Sequence, residues 1–144
     1  MRYATKGLGL SAALAAAFLA GTAATATAAP AEPDGLYAPS NLVLTIGEGE
    51  DPSLATVQRS AVLSCSPTSD GSHPEPGKAC AELRSVDGDI ASLVNTDNDG
   101  VCPMIWDPIV VTAEGIWEGR KVSYAHTFPN ACVMENSTGA LFSF

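Results

Sequence analysis

Residues 109–128 read Ile-Val-Val-Thr-Ala-Glu-Gly-Ile-Trp-Glu-Gly-Arg-Lys-Val-Ser-Tyr-Ala-His-Thr-Phe, the stretch that decides the fold class. Ile109 to Ala113 is β-branched and aliphatic, the composition of a strand. Glu114-Gly115 between apolar residues predicts a tight hairpin turn. Ile116 to Phe128 then returns as a long strand in which Gly119 marks a bulge. A strand, a two-residue turn and a returning strand can only pair antiparallel.

The same signals extend outward in both directions. Upstream, Leu42 to Ile46 is a strand, residues 47–52 are a polar turn, and Thr56 to Cys65 is a second strand. Residues 66–79 hold Pro67, Gly71, Pro74, Pro76 and Gly77 and read as a loop, with Pro76-Gly77 marking the turn into a helix. Ala79, Leu83, Val86, Ile90 and Leu93 recur at helical spacing, and Gly88 interrupts them, so the helix runs two to three turns with a weaker continuation. Downstream, Cys132 to Glu135 suits a short helix, and Ala140 to Phe144 a final strand. Five strands and one or two helices joined by short turns make an α+β layer, with helices packed on one face of an antiparallel sheet.

Arg2 and Lys6 precede an apolar run from Leu8 to Leu19 and a small-residue stretch with Ala26-Thr27-Ala28. This is the pattern of a secretory signal peptide, residues 1–28, and its apolar core is too short for a membrane span. Residues 29–40, with Pro30, Pro33 and Pro39, form an amino-terminal lead, and residues 41–144 a single domain. Past residue 28, five basic residues stand against 16 acids, a net charge of −11. No basic stripe exists to meet phosphates, which excludes nucleic acid and argues against an anionic membrane.

Cys65, Cys80, Cys102 and Cys132 are the four cysteines. An even number in a small exported domain implies two disulfides. Three pairings are open, and the simplest joins Cys65 to Cys80 and Cys102 to Cys132. The spacings match no compact zinc pattern, so no metal site is expected, and no cofactor motif is present.

The stretch Gly100-Val101-Cys102-Pro103-Met104-Ile105-Trp106-Asp107-Pro108 carries the functional signal. Its prolines fix φ near −65° and push the preceding residues toward extended geometry. Composition alone balances two readings: a strand whose Met104, Ile105 and Trp106 enter the core, or an exposed binding loop. The polar lead-in from Asn95 to Gly100 and the two missing amide donors favour the loop. Hydrolytic chemistry would have to use His73 or His126, without a nucleophile or carboxylate motif beside them and with few phosphate-binding cations. A surface binding module would use Trp106 and Trp117 as contacts. Asn136-Ser137-Thr138 matches a three-residue glycosylation acceptor, a pattern that arises often by chance.

Several segments in order resemble the Streptomyces subtilisin inhibitor family. Leu36 to Thr45 is similar to its amino-terminal signature, and His73-Pro74-Glu75-Pro76-Gly77-Lys78-Ala79-Cys80-Ala81-Glu82-Leu83 matches its His-Pro-x-Pro-Gly-x-x-Cys-Ala-x-Leu pattern. Cys102 to Pro108 resembles its reactive segment, Gly115 to Tyr124 its central strand, and Phe142-Ser143-Phe144 its carboxyl terminus. The resemblance implies a five-stranded antiparallel sheet with two helices, the pairings Cys65–Cys80 and Cys102–Cys132, and a homodimer formed through the sheets. It further implies a substrate-like inhibitor of secreted serine proteases, chiefly subtilisins, rather than an enzyme; the long, unbranched, polarizable side chain of Met104 also suits the broad apolar pocket of chymotrypsin-like enzymes. By carry-over, Met104 is the primary-specificity residue and Met104–Ile105 the reactive bond. Gly100, Val101, Cys102, Pro103, Trp106 and Asp107 complete the protease-binding loop.

Overall fold

The computed structural model describes residues 38–94 and 100–144. The expected signal peptide, most of the expected amino-terminal lead and the polar run at 95–99 lie outside the described residues.

The sheet has five strands in the order β3-β2-β1-β4-β5. They are β1 Ser40–Glu48, β2 Thr56–Ser66, β3 Asp70–Gly71, β4 Ile109–Trp117 and β5 Arg120–Phe128. All neighbours are antiparallel. The helices are α1 Pro76–Ser85, α2 Ile90–Leu93 and α3 Ala131–Ser137. Period-two alternation sends Leu42, Leu44 and Ile46 of β1, Ala61, Leu63 and Cys65 of β2, and Val111, Ala113 and Trp117 of β4 to one buried face. There they meet Ala79, Cys80 and Leu83 of α1, Ile90 of α2 and Met134 of α3 in one core. The helices therefore share one face, as expected. The opposite face leaves Val43, Val57, Val62 and Ile116 exposed.

Both disulfides form as the simplest pairing has them, Cys65–Cys80 and Cys102–Cys132. By the loop-entropy account each is worth about 3–4 kcal/mol. The first pins α1 to β2. The helix begins with Pro76 in its first turn, where a missing amide costs nothing. It ends in a Schellman arrangement: the Gly88 amide bonds the Leu83 carbonyl at 2.9 Å, the Asp87 amide bonds Arg84 at 3.3 Å, and Asp87 takes φ of 53°. This is the break expected at Gly88, with α2 as the continuation.

Two expectations are corrected. The hairpin turn falls at Glu118-Gly119, not Glu114-Gly115: Trp117 pairs with Arg120, and Glu118 and Gly119 have φ of 46° and 78°. That pair of positive angles is the primed turn whose twist suits a two-residue hairpin, and Gly119 is its second residue rather than a bulge. Gly115 stays in the strand because β1 crosses closely beside it, where a Cβ would fall 2.2 Å from the Asn41 carbonyl oxygen. The second Glu-Gly pair is further fixed from outside, by the Ser40 hydroxyl accepting the Glu118 amide at 2.9 Å.

Residues 140–144 are not a strand. Leu141 and Phe142 do enter the core, but their backbone finds other partners. The Glu82 carboxylate accepts the Ala140 amide at 3.0 Å and the Leu141 amide at 3.2 Å, and the Leu141 carbonyl accepts from His73 Nε2 at 3.2 Å. A short apolar run has no periodicity that separates these outcomes. The fifth strand is instead β3, inside the disulfide-closed loop, where Asp70 and Gly71 pair with Ser64 and Leu63.

Removing the Glu82 acceptor leaves two buried-end amides without their charged partner. Glu82→Ala is expected to lose about 1–3 kcal/mol in urea unfolding, and Glu82→Gln less, because one acceptor oxygen remains.

Candidate functional site

Residues 100–108 enter no helix or ladder, yet they are held from several sides. The Cys102–Cys132 bridge ties the loop to α3. Asn130, 7% exposed, stands just before that helix and spends its whole side chain here. Its Oδ1 accepts the Val133 amide at 3.0 Å, capping α3. Its Nδ2 donates to the Pro103 carbonyl and to the Ile105 carbonyl, both at 3.0 Å. The two acceptors flank Met104, so one amide group straddles the Met104–Ile105 bond.

The far side of the loop rests on the turn between β1 and β2. The Gly49 amide bonds the Pro108 carbonyl at 3.0 Å, and the Asp107 amide bonds Pro129 at 2.9 Å. The Trp106 indole N–H donates to Glu50 Oε1 at 2.7 Å. The turn is itself ordered. Asp51 accepts both the hydroxyl and the amide of Ser53, and these bonds hold its carboxyl below the usual aspartate value.

Between these anchors the apolar side chains face outward. Met104 is fully exposed at 104% and Val101 at 98%, while Ile105 and Trp106 remain 61% and 63% exposed. Met104, Ile105 and Trp106 are therefore not core residues of a strand but lie exposed on a tethered loop. Cys102 is partly buried as the anchor, and Gly100, Pro103 and Asp107 lie on the exposed rim.

The other candidates do not assemble a site. His73 is buried, and both ring nitrogens are engaged: Nε2 donates to the Leu141 carbonyl, and Nδ1 accepts the Glu75 amide at 3.1 Å. His126 lies on β5 between Tyr124 and Phe128, with ring centroids 6.5 and 4.5 Å away. Trp117 is buried, its ring so close to Gly88 that a Cβ there would fall 2.4 Å from it. Only Trp106 of the two tryptophans is a surface group. Asn136 is exposed near the end of α3 and donates to Cys102 Sγ at 3.1 Å, while Ser137 and Thr138 of its tripeptide are buried. Among the described residues no cluster of three metal-ligating side chains occurs, and no helix is long and apolar enough to cross a membrane.

Sequence reading missed Asn130 and Glu50. Asn130 carried a signal, since asparagine two residues before an expected helix is a natural N-cap. Nothing in a single sequence places Glu50 beside Trp106, 56 residues away.

The model of the family described as subtilisin inhibitor-like matches residues 38–130. Kexstatin-1 of Streptomyces platensis is 49% identical over 145 residues, covering 100% of both chains. Subtilisin inhibitor-like protein 4 of Streptomyces lavendulae is 52% identical, over 79% of this chain and 97% of that one. A crystal structure of Streptomyces caespitosus sermetstatin in complex with Bacillus licheniformis subtilisin superposes with a TM-score of 0.68 at 40% identity, covering 74% of this chain and 99% of that chain.

Asn130→Ala removes a helix cap and both loop bonds. It should cost about 1–2 kcal/mol of stability in thermal or urea unfolding. It should also raise the rate at which a non-specific protease nicks residues 101–108, read by mass spectrometry.

Proposed function

The chain belongs to the subtilisin inhibitor-like family, and from that premise we propose that it is a secreted, substrate-like inhibitor of serine proteases, chiefly of the subtilisin type. The observation that carries this reading is the fully exposed Met104 on a loop whose backbone is bound on both sides by Asn130. Met104 enters the primary-specificity pocket, and Met104–Ile105 is the reactive bond. Gly100, Val101, Cys102 and Pro103 line up before it as a strand added to the enzyme, and Trp106 and Asp107 meet the leaving side. Methionine is long, unbranched and polarizable, and fills a broad apolar pocket of subtilisin or chymotrypsin type without demanding one shape.

Inhibition follows from what happens after attack. The enzyme's serine oxygen adds to the Met104 carbonyl carbon. The C–N bond to Ile105 breaks, and the nitrogen leaves as an amine, taking a proton from the enzyme's general acid. In an ordinary substrate that amine diffuses away and water hydrolyses the ester. Here the bond lies inside the loop closed by Cys102–Cys132, so cutting it separates nothing. Asn130 stays on the carboxyl side of the cut and keeps its bond to Pro103 on the other. The amine therefore remains beside the ester at high effective concentration and reforms the peptide, expelling the serine oxygen. Because the loop is ordered before binding, the enzyme gains the contact surface at a reduced entropy cost.

A hydrolase reading is disfavoured because both nitrogens of His73 are committed to the fold and His126 is packed among aromatic rings. Export accords with the signal-like residues 1–28 and with two disulfides. The exposed Val43, Val57, Val62 and Ile116 on the uncovered sheet face favour a homodimer with a second copy seated there.

Titration with subtilisin should give stoichiometric loss of protease activity. Met104→Gly should weaken inhibition by roughly 100-fold, the scale of a hot-spot residue. Met104→Lys should gain trypsin binding, since that pocket's acid takes a cation. Unchanged inhibition by Met104→Gly would refute the reactive-bond assignment. In sedimentation, Val62→Glu should convert a dimer to a monomer that still inhibits, whereas a monomeric parent chain would rule out the dimer.

A further inference from the structure

We propose that Glu50 is a positioning residue for the leaving side of the reactive bond, acting through the Trp106 indole to hold Ile105 in place for religation. The inference rests on the assignment of Met104–Ile105 as the bond that is cut.

The argument is one of connectivity. Cutting after Met104 leaves β1, β2 and Glu50 in the amino fragment, and Trp106 in the carboxyl fragment, one residue beyond the new amine. The 2.7 Å bond from Trp106 Nε1 to Glu50 Oε1 therefore crosses the cut. It joins the bond from Gly49 to Pro108, which crosses two residues further on. Asn130 fixes Ile105 through its carbonyl. Glu50 fixes the next side chain, and two points determine the direction of the short segment that bears the amine.

An exposed hydrogen bond usually contributes little, because both partners must be ordered to make it. Here the main chain beneath Glu50 is already ordered. Its carbonyl accepts the Thr127 hydroxyl at 3.0 Å, its neighbour Gly49 bonds Pro108, and Asp51 closes the turn onto Ser53. Trp106 is equally constrained, with Asn130 bonded to the residue before it and the Asp107 amide to Pro129 after it. The remaining cost is the Glu50 side-chain rotamer. Religation is sensitive to small displacements of the amine, so a tether this close to it bears on the partition between resealing and hydrolysis.

The test compares Glu50→Ala, Glu50→Gln, Trp106→Phe and the double variant Glu50→Ala/Trp106→Phe with the parent chain. Each is incubated with substoichiometric subtilisin, and cleavage at Met104–Ile105 is followed by mass spectrometry. Hydrogen exchange of the Trp106 indole proton is followed by NMR without protease. Glu50→Ala and Trp106→Phe should each speed net cleavage by about threefold to tenfold, and Glu50→Ala should speed indole exchange. Glu50→Gln keeps an acceptor oxygen and should stay within about twofold of the parent. The double variant should be no faster than either single one, the mark of a shared interaction. Cleavage at the parent rate in Glu50→Ala, or single effects that multiply in the double variant, would overturn the role of Glu50 and leave the reactive bond standing. A parent chain cut at some other bond would overturn both.

Discussion

One amide nitrogen carries the geometry of the exposed loop at residues 100–108. Asn130 Nδ2 donates to carbonyls on either side of Met104, and the Oδ1 of the same group caps α3. The loop is therefore not a free excursion from the sheet. Its conformation is referred, through one side chain, to a helix that is bridged covalently to the loop by Cys102–Cys132. Met104 can stay fully exposed because the polar backbone beneath it is satisfied inward. An apolar tip on a loop of unpaired amides would be a poor binding surface, since ordering it would consume much of the affinity gained.

The rest of the fold serves as a rigid back for that contact. The sheet brings the β1–β2 turn and the start of β4 to the same end, so Gly49 and Glu50 meet Pro108 and Trp106 across a long sequence separation. The Cys65–Cys80 disulfide and the Schellman end of α1 fix the opposite side of the core.

Much of the fold was legible in the sequence because the relevant signals were local. The β-branched runs at 42–46, 56–65 and 109–113 are strands, and the Gly88 break in the helical pattern is a real terminus. The failures share one cause. Two Glu-Gly pairs four residues apart offer the same turn chemistry, and the choice between them is made by β1, which packs against Gly115 and whose Ser40 hydroxyl accepts the Glu118 amide of the true turn. Likewise residues 140–144 look like a strand until Glu82 and His73 supply their backbone partners. In the site, the exposed tip was readable from its prolines and polar lead-in. Of its supports, Asn130 showed only its local side, as a cap of α3, while its bonds to Pro103 and Ile105 and the bond from Trp106 to Glu50 depend on tertiary proximity.

The central claim is that the loop binds as a substrate whose cut is reversible. The direct measurement starts from two preparations, the intact chain and a chain already cut at Met104–Ile105, each incubated with a trace of subtilisin and sampled by mass spectrometry until composition stops changing. The account predicts that both converge on one mixture of intact and cut chain, with peptide bond reformed in the second. A cut chain that never reseals while the intact chain is consumed completely would contradict it.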